Sequence, residues 1–222
     1  IDGQPSYQFY RDDTAERQID LPFLQNNFPA KGRAFHLTSL SIIDGSDADA
    51  WADFFADQHR VGIVTTLDPN VRPMLIADRE AYLERLWRLM NTADILKLSD
   101  EDLEWIFPNL DFDTACTAVL RQTSAKLSIV TKGAKGAICY CNGLKVAVPA
   151  HPVPKLVDTV GAGDTFMATV LSHLNSADLL SQDALTGLDQ ATLIALLTRA
   201  AKAAAINCEC EGCQPPTADA LN

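Results

Sequence analysis

A chain of 222 residues suits one large domain, and 47% hydrophobic residues supply a substantial core. The formal net charge of −11 excludes a surface built to hold nucleic-acid backbone, which relies on clustered Lys and Arg. No apolar run approaches the length of a bilayer span and no charged-then-apolar leader opens the chain, so a soluble, cytoplasmic protein with no membrane partner is expected.

The first residue is Ile1, and the alternating run Ser6-Tyr7-Gln8-Phe9-Tyr10-Arg11 reads as a strand already under way, as expected of the C-terminal portion of a longer domain. A second extended piece, Glu16-Arg17-Gln18-Ile19-Asp20, follows a turn at Asp12-Asp13-Thr14, so residues 6–20 are expected to form a β-ribbon. From Arg33 onward short apolar runs alternate with helical stretches: Ala34-Phe35-His36-Leu37, a helix around 48–58, an apolar run at 61–67, a helix at 78–90 and a strand at 93–98. Such alternation predicts a mostly parallel sheet with helices on its faces. His36, inside an apolar run, reads as a core histidine. Asp68-Pro69-Asn70-Val71-Arg72 falls at a strand end, where open α/β sheets place their ligand crevice, which favours a functional role for Asn70 and Arg72 over plain turn chemistry. Ser99 is a good N-cap with acids behind it, Asp102 among them. A helix at 111–122, a strand at 127–131, a glycine turn containing Gly133 and Gly136, and a hairpin over 137–148 turning at Asn142-Gly143 follow.

The run VDTVGAGDTF at 157–166 joins a proline-spaced segment to an amphipathic stretch, so it predicts a loop-to-helix junction. Free N–H groups at a helix mouth, flanked only by Gly161, Ala162 and Gly163, make an anion cradle. A carboxylate there, Asp164, is unfavourable beside bound polyphosphate unless it takes a proton from a hydroxyl that attacks phosphorus. A later helix with a small-residue face ends near Asn207. Cys208, Cys210 and Cys213 crowd one segment, but no second CxxC or His pair completes a tetrahedral set, so the six cysteines read as reduced thiols. The phosphate loop GxxxxGK[ST] is absent.

DTVGAGDTF resembles the signature of the ribokinase (PfkB) family of carbohydrate kinases, and the resemblance runs through most of the chain in a fructokinase-like form. It implies a ribokinase-like three-layer α/β/α fold with a small β lid, one kinase domain over residues 1–222, and residues 6–20 as the remnant of the lid. It implies ATP-dependent phosphorylation of a sugar hydroxyl, of fructose or a related ketose or keto-sugar, with Asp164 as base and the backbone of Gly161, Ala162 and Gly163 as anion hole. Lys97, Thr131, Gly133, Gly136, Gly163 and Asn207 are the implied nucleotide contacts, and Arg11, Asn70 and Arg72 the implied substrate contacts beside Asp164. Mg2+ is implied with Asp102 near it, and a monovalent cation (K+) near Asp158; a homodimer through the lid is the implied assembly. Two departures stand out. The family's Asn-x-x-Glu motif is replaced by Ser99 and Asp102, and its glycine-rich sugar-binding segment is not found before Ile1. A non-catalytic fructokinase-like binding protein, or a nucleoside or vitamin kinase of the same family, are the competing readings.

Overall fold

A computed structural model describes residues 9–221. Six strands form one sheet in sequential order: β1 (Ala34–Thr38), β2 (Val64–Asp68), β3 (Ile95–Ser99), β4 (Leu127–Thr131), β5 (Ala137–Cys141) and β6 (Leu144–Val148). The first four pair in parallel, while β5 and β6 run antiparallel as the hairpin expected from Asn142-Gly143. The helices are α1 (Leu21–Asn27), α2 (Gly45–Arg60), α3 (Arg79–Met90), α4 (Asp100–Ile106), α5 (Phe112–Gln122), α6 (Ala162–Ser176), α7 (Gln182–Leu185) and α8 (Gln190–Cys208).

Strand alternation divides the core into two layers. Ile95, Leu127 and Ile129 face α6 and α8, where Val170, Leu174, Leu196 and Leu197 are fully buried. Their neighbours Leu96, Leu98 and Val130 face the opposite way, onto Phe55, Leu86, Leu89, Leu103 and Val119 of α2 to α5. Successive side chains of a strand point to opposite faces, and β2 and β3, covered on both sides, are buried along nearly their whole length, with Thr65, Thr66, Asp68 and Lys97 set among apolar side chains. Each such side chain contributes roughly 1.5–3 kcal/mol on burial. This is the three-layer α/β/α architecture. At 19 residues α8 is long and apolar enough to cross a membrane by length and composition, which corrects only the expectation that no apolar run approaches that length. In this fold its apolar face packs on α6, β5 and β6.

The start of the chain differs from expectation. Ala15–Gln18 is a 3-10 turn and no strand forms over residues 9–20, so of the piece expected to be extended from Glu16 to Asp20 only Ile19 and Asp20 have extended backbone. Ser6, Tyr7 and Gln8 lie outside the described residues. Arg17 turns toward α2 and binds Asp44 and Asp47, and the aromatic residues Phe28, Phe35 and Phe54 pack edge to face beneath. An arginine tied to two carboxylates at the start of α2 favours the tight turn over a ribbon.

Two helix starts fall where the sequence placed them: Asp78 and Asp111 each accept a backbone N–H from the first turn of their helix, and Asp189 does the same for α8. Ser99 and Asp102 form a full capping box.

All six cysteines are free thiols, and the described residues hold no group of three or more His, Cys, Asp or Glu placed to bind a metal. Burial pushes the Cys139 thiol up to about 12 and raises those of Cys116, Cys141 and Cys208. Thiolate is the reactive form, so a small alkylating reagent applied to the native protein is expected to label exposed Cys213 first, Cys210 next, and the four buried thiols only on unfolding. Peptide mass mapping over time reads this order, and early labelling of Cys139 would contradict the packing described.

Candidate active site

The C-terminal ends of the four parallel strands bring Thr38, Asp68, Ser99 and Thr131 to one edge of the sheet. Open α/β sheets bind ligands at this edge. On the face that carries α6, alternation also brings His36, Thr66 and Lys97 into the same neighbourhood. His36 Nδ1 lies 2.7 Å from Thr66 Oγ1, and Lys97 Nζ lies 2.6 Å from Asp68 Oδ2.

Helix α6 begins beside this polar stripe. Gly161 is its N-cap in the left-handed region, at φ 75°, a conformation that disfavours any residue with a side chain. The space is closed as well: a Cβ on Gly161 would stand 2.3 Å from the Cys213 sulfur. The Ala162 N–H donates to Thr159 O and the Thr165 N–H to Gly161 O, which leaves the N–H groups of Gly163 and Asp164 without a backbone acceptor among the described residues. These are the orphan donors of a helix start, and their partial positive charge favours an anion.

Gly163 has a close neighbour. A Cβ there would sit 3.6 Å from Lys97 Nζ, so the ammonium stands directly against the helix mouth. Lys97 is 4% exposed, and a lysine buried beside a helix N-terminus is the arrangement that polyphosphate, and not a neutral ligand, would complete. Asp164 is exposed to solvent on the same turn, and its charge acts on both His36 and Asp68.

A cavity of about 600 Å3 runs from this mouth between the 131–136 turn and α8. Thr131, Gly133, Gly136, Ala162 and Gly163 line it together with the apolar side chains of Leu156, Phe166, Ala201 and Ala205. Gly136 is also structural, because φ is 88° and a Cβ would collide with Val148 O. A mostly apolar lining of this size, opening beside the helix mouth, suits a flat apolar ring that carries charged groups.

The loop before α6 is stapled to the tail after α8. Asp158 accepts the N–H groups of Val160 and Gly212, which hold its carboxyl below the usual range. The Asn207 amide donates to Val160 O and accepts from Gln214 N–H, and its side chain is 0% exposed. Asn207 is therefore a buried brace and not the ligand contact that the sequence suggested.

Other expected residues stand apart from the cavity. Arg11 is tied to Glu16, Asp44 and Leu40 O at the turn after β1. Arg72 folds back on Asn70, which adopts φ 42°. Asp102 is buried and accepts from Val71 N–H, Ser99 N–H and Ser99 Oγ, so its oxygens shape the 70–72 loop and the start of α4, and metal binding through them is not favoured. His36, read as a core residue, is solvent-exposed and turned to the crevice. Protein packed around it lowers its pKa, with the Lys97 charge adding to that and Asp164 opposing it. The signal was available in the alternation, since His36 shares a face with Thr38 while Phe35 and Leu37 join the opposite core.

These elements match known proteins. The family described as pfkB family carbohydrate kinase covers residues 2–220, and the chain belongs to it. A fructokinase of Rhizobium leguminosarum bv. trifolii is 38% identical over 196 residues, covering 87% of this chain and 58% of that protein. The fructokinase of Xylella fastidiosa with bound ATP superposes with a TM-score of 0.85 at 27% identity, over 96% of this chain and 66% of that one. A double mutant of the Vibrio cholerae O395 fructokinase, in fructose, ADP and potassium ion bound form, superposes at 0.74 with 25% identity, over 86% of this chain and 59% of that one. The chain thus spans about 58% of the length of the Rhizobium protein.

Replacing Asn207 by Ala removes both halves of the brace and leaves Val160 O and Gln214 N–H unpaired. Asn207→Ala is expected to destabilise by about 1–3 kcal/mol, read as a lower urea midpoint at unchanged slope. A midpoint equal to that of the original chain would show that the brace does not hold the loop.

Proposed function

We propose that this chain carries the phosphoryl-transfer site of an ATP-dependent sugar kinase acting on fructose or a related ketose. The observation that supports this most is the junction at Gly163, where orphan helix N–H groups, the buried Lys97 ammonium and the end of the 600 Å3 cavity meet beside the Asp164 carboxylate. The fructokinases among the relatives support the acceptor class.

In this reading the nucleobase lies against Leu156 and the alanines of α8, and the phosphates reach the mouth of α6. Gly133 and Gly136 let the backbone of the turn approach the ribose and phosphates. The N–H groups of Gly163 and Asp164, with Lys97, take up the charge that builds on the transferred phosphoryl oxygens, and each preorganised donor of this kind contributes about 3 kcal/mol. Asp164 receives the proton of the attacking hydroxyl, a step worth on the order of 10²–10⁴ in rate. Its exposure fits this task, because a base that must meet an incoming hydroxyl has to open onto the crevice. Mg2+ on the nucleotide phosphates supplies charge neutralisation. A monovalent cation belongs beside the loop that Asp158 organises, supported by the potassium ion in the Vibrio cholerae structure.

Coupled ADP release measured against a panel of sugars tests the proposal. Fructose-dependent turnover is expected, with kcat falling by roughly 10²-fold or more in Asp164→Ala while ATP affinity changes little. Sugar-dependent turnover that survives in Asp164→Ala would remove the base from its role, and ATP binding with no sugar-dependent turnover across the panel would overturn the kinase reading.

A further inference from the structure

Asp68 is a costly residue to bury. It is 1% exposed at the end of β2, one carboxylate oxygen is bonded to Lys97, and the other, Oδ1, is buried with no partner. Burial raises its pKa, and the charges of Asp102 and Asp164 push the same way, with Lys97 opposing. An apolar pair of the same size packs a core at least as well as such an ion pair, so stability alone does not account for it.

The geometry of Lys97 does. An ammonium has three N–H donors, and Asp68 takes one. The other two have no acceptor among the described residues, and the nitrogen stands against Gly163 at the mouth of α6. Lysine has a long flexible stem, and two other carboxylates, Asp102 and Asp164, lie close enough to act on Asp68. Held by Asp68, the cation stays at the helix mouth and off Asp164. Without that hold it would swing toward the remaining acids, and pairing with Asp164 would weaken the base.

We propose that Asp68 is a positioning residue for phosphoryl transfer: it fixes Lys97 so that two of its protons meet the donor's phosphate at Gly163, and it keeps that cation away from Asp164. The proposal rests on the kinase reading above and adds to it a residue that acts only through another side chain.

A double-mutant cycle on the whole chain tests it, with ATP and fructose affinities measured by calorimetry for Asp68→Asn, Lys97→Gln and the double variant. Asp68→Asn is expected to weaken ATP by about tenfold and leave fructose within about threefold, and the double variant is expected to bind ATP no more weakly than Lys97→Gln alone. Should Asp68→Asn fail to fold, the apolar pair Asp68→Leu with Lys97→Met restores folding, and its ATP affinity is expected to match that of Lys97→Gln. Wild-type ATP affinity in Asp68→Asn or in the apolar pair, or losses that multiply in the double variant, would overturn the inference. The two readings fail differently. Loss in Lys97→Gln but not in Asp68→Asn refutes the positioning role alone, whereas ATP binding that is absent, or indifferent to Lys97→Gln, refutes the phosphate site and the positioning role together.

Discussion

The site depends on one electrostatic constraint: a helix that starts with its donors unused, against a buried ammonium. Lys97 has one anionic partner, Asp68, and the helix N–H groups have none among the described residues. The N–H groups of Gly163 and Asp164 carry the positive end of a 15-residue helix, and Lys97 is buried with two protons unshared. The free helix N–H groups and the two unshared Lys97 protons lie at one mouth, and a polyphosphate can accept from both at once. The rest of the fold keeps these groups from relaxing apart.

Several braces do this work. Asp158 and Asn207 fasten the loop before α6 to the tail after α8, so the left-handed Gly161 cannot drift, and Cys213 fills the space over it. On the sheet side, Asp68 holds Lys97 and Asp102 holds the loop that follows β2. Acidic residues that resemble metal ligands on paper thus serve as anchors for backbone and for a lysine. Asp68 and Asp102 are buried, whereas Asp164 is exposed on the first turn of α6.

Much of this was legible in the chain. The glycine-rich run and its acid announced a helix mouth because small residues are needed wherever an anion meets backbone, and β4, the hairpin and the Ser99 cap fell at the expected residues. Other features were hidden because they depend on which face a residue takes. His36 sits in an apolar run, yet alternation turns it to the crevice while its neighbours enter the core. Asn207 lies near the cavity in sequence terms, but helical rotation buries it. The extended piece expected at 16–20 became a 3-10 turn because Arg17 finds Asp44 and Asp47, partners that lie about thirty residues away and cannot be seen locally.

The most direct measurement is the backbone amide spectrum of the isotopically labelled chain during titration with a non-hydrolysable ATP analogue and Mg2+. Direct hydrogen bonds from phosphate oxygens should move the Gly163 and Asp164 amide protons downfield more than any others, with Thr131 and Gly133 following. Saturation by the analogue that leaves the Gly163 and Asp164 amides in place would contradict the account, because phosphate would then be held away from the mouth of α6.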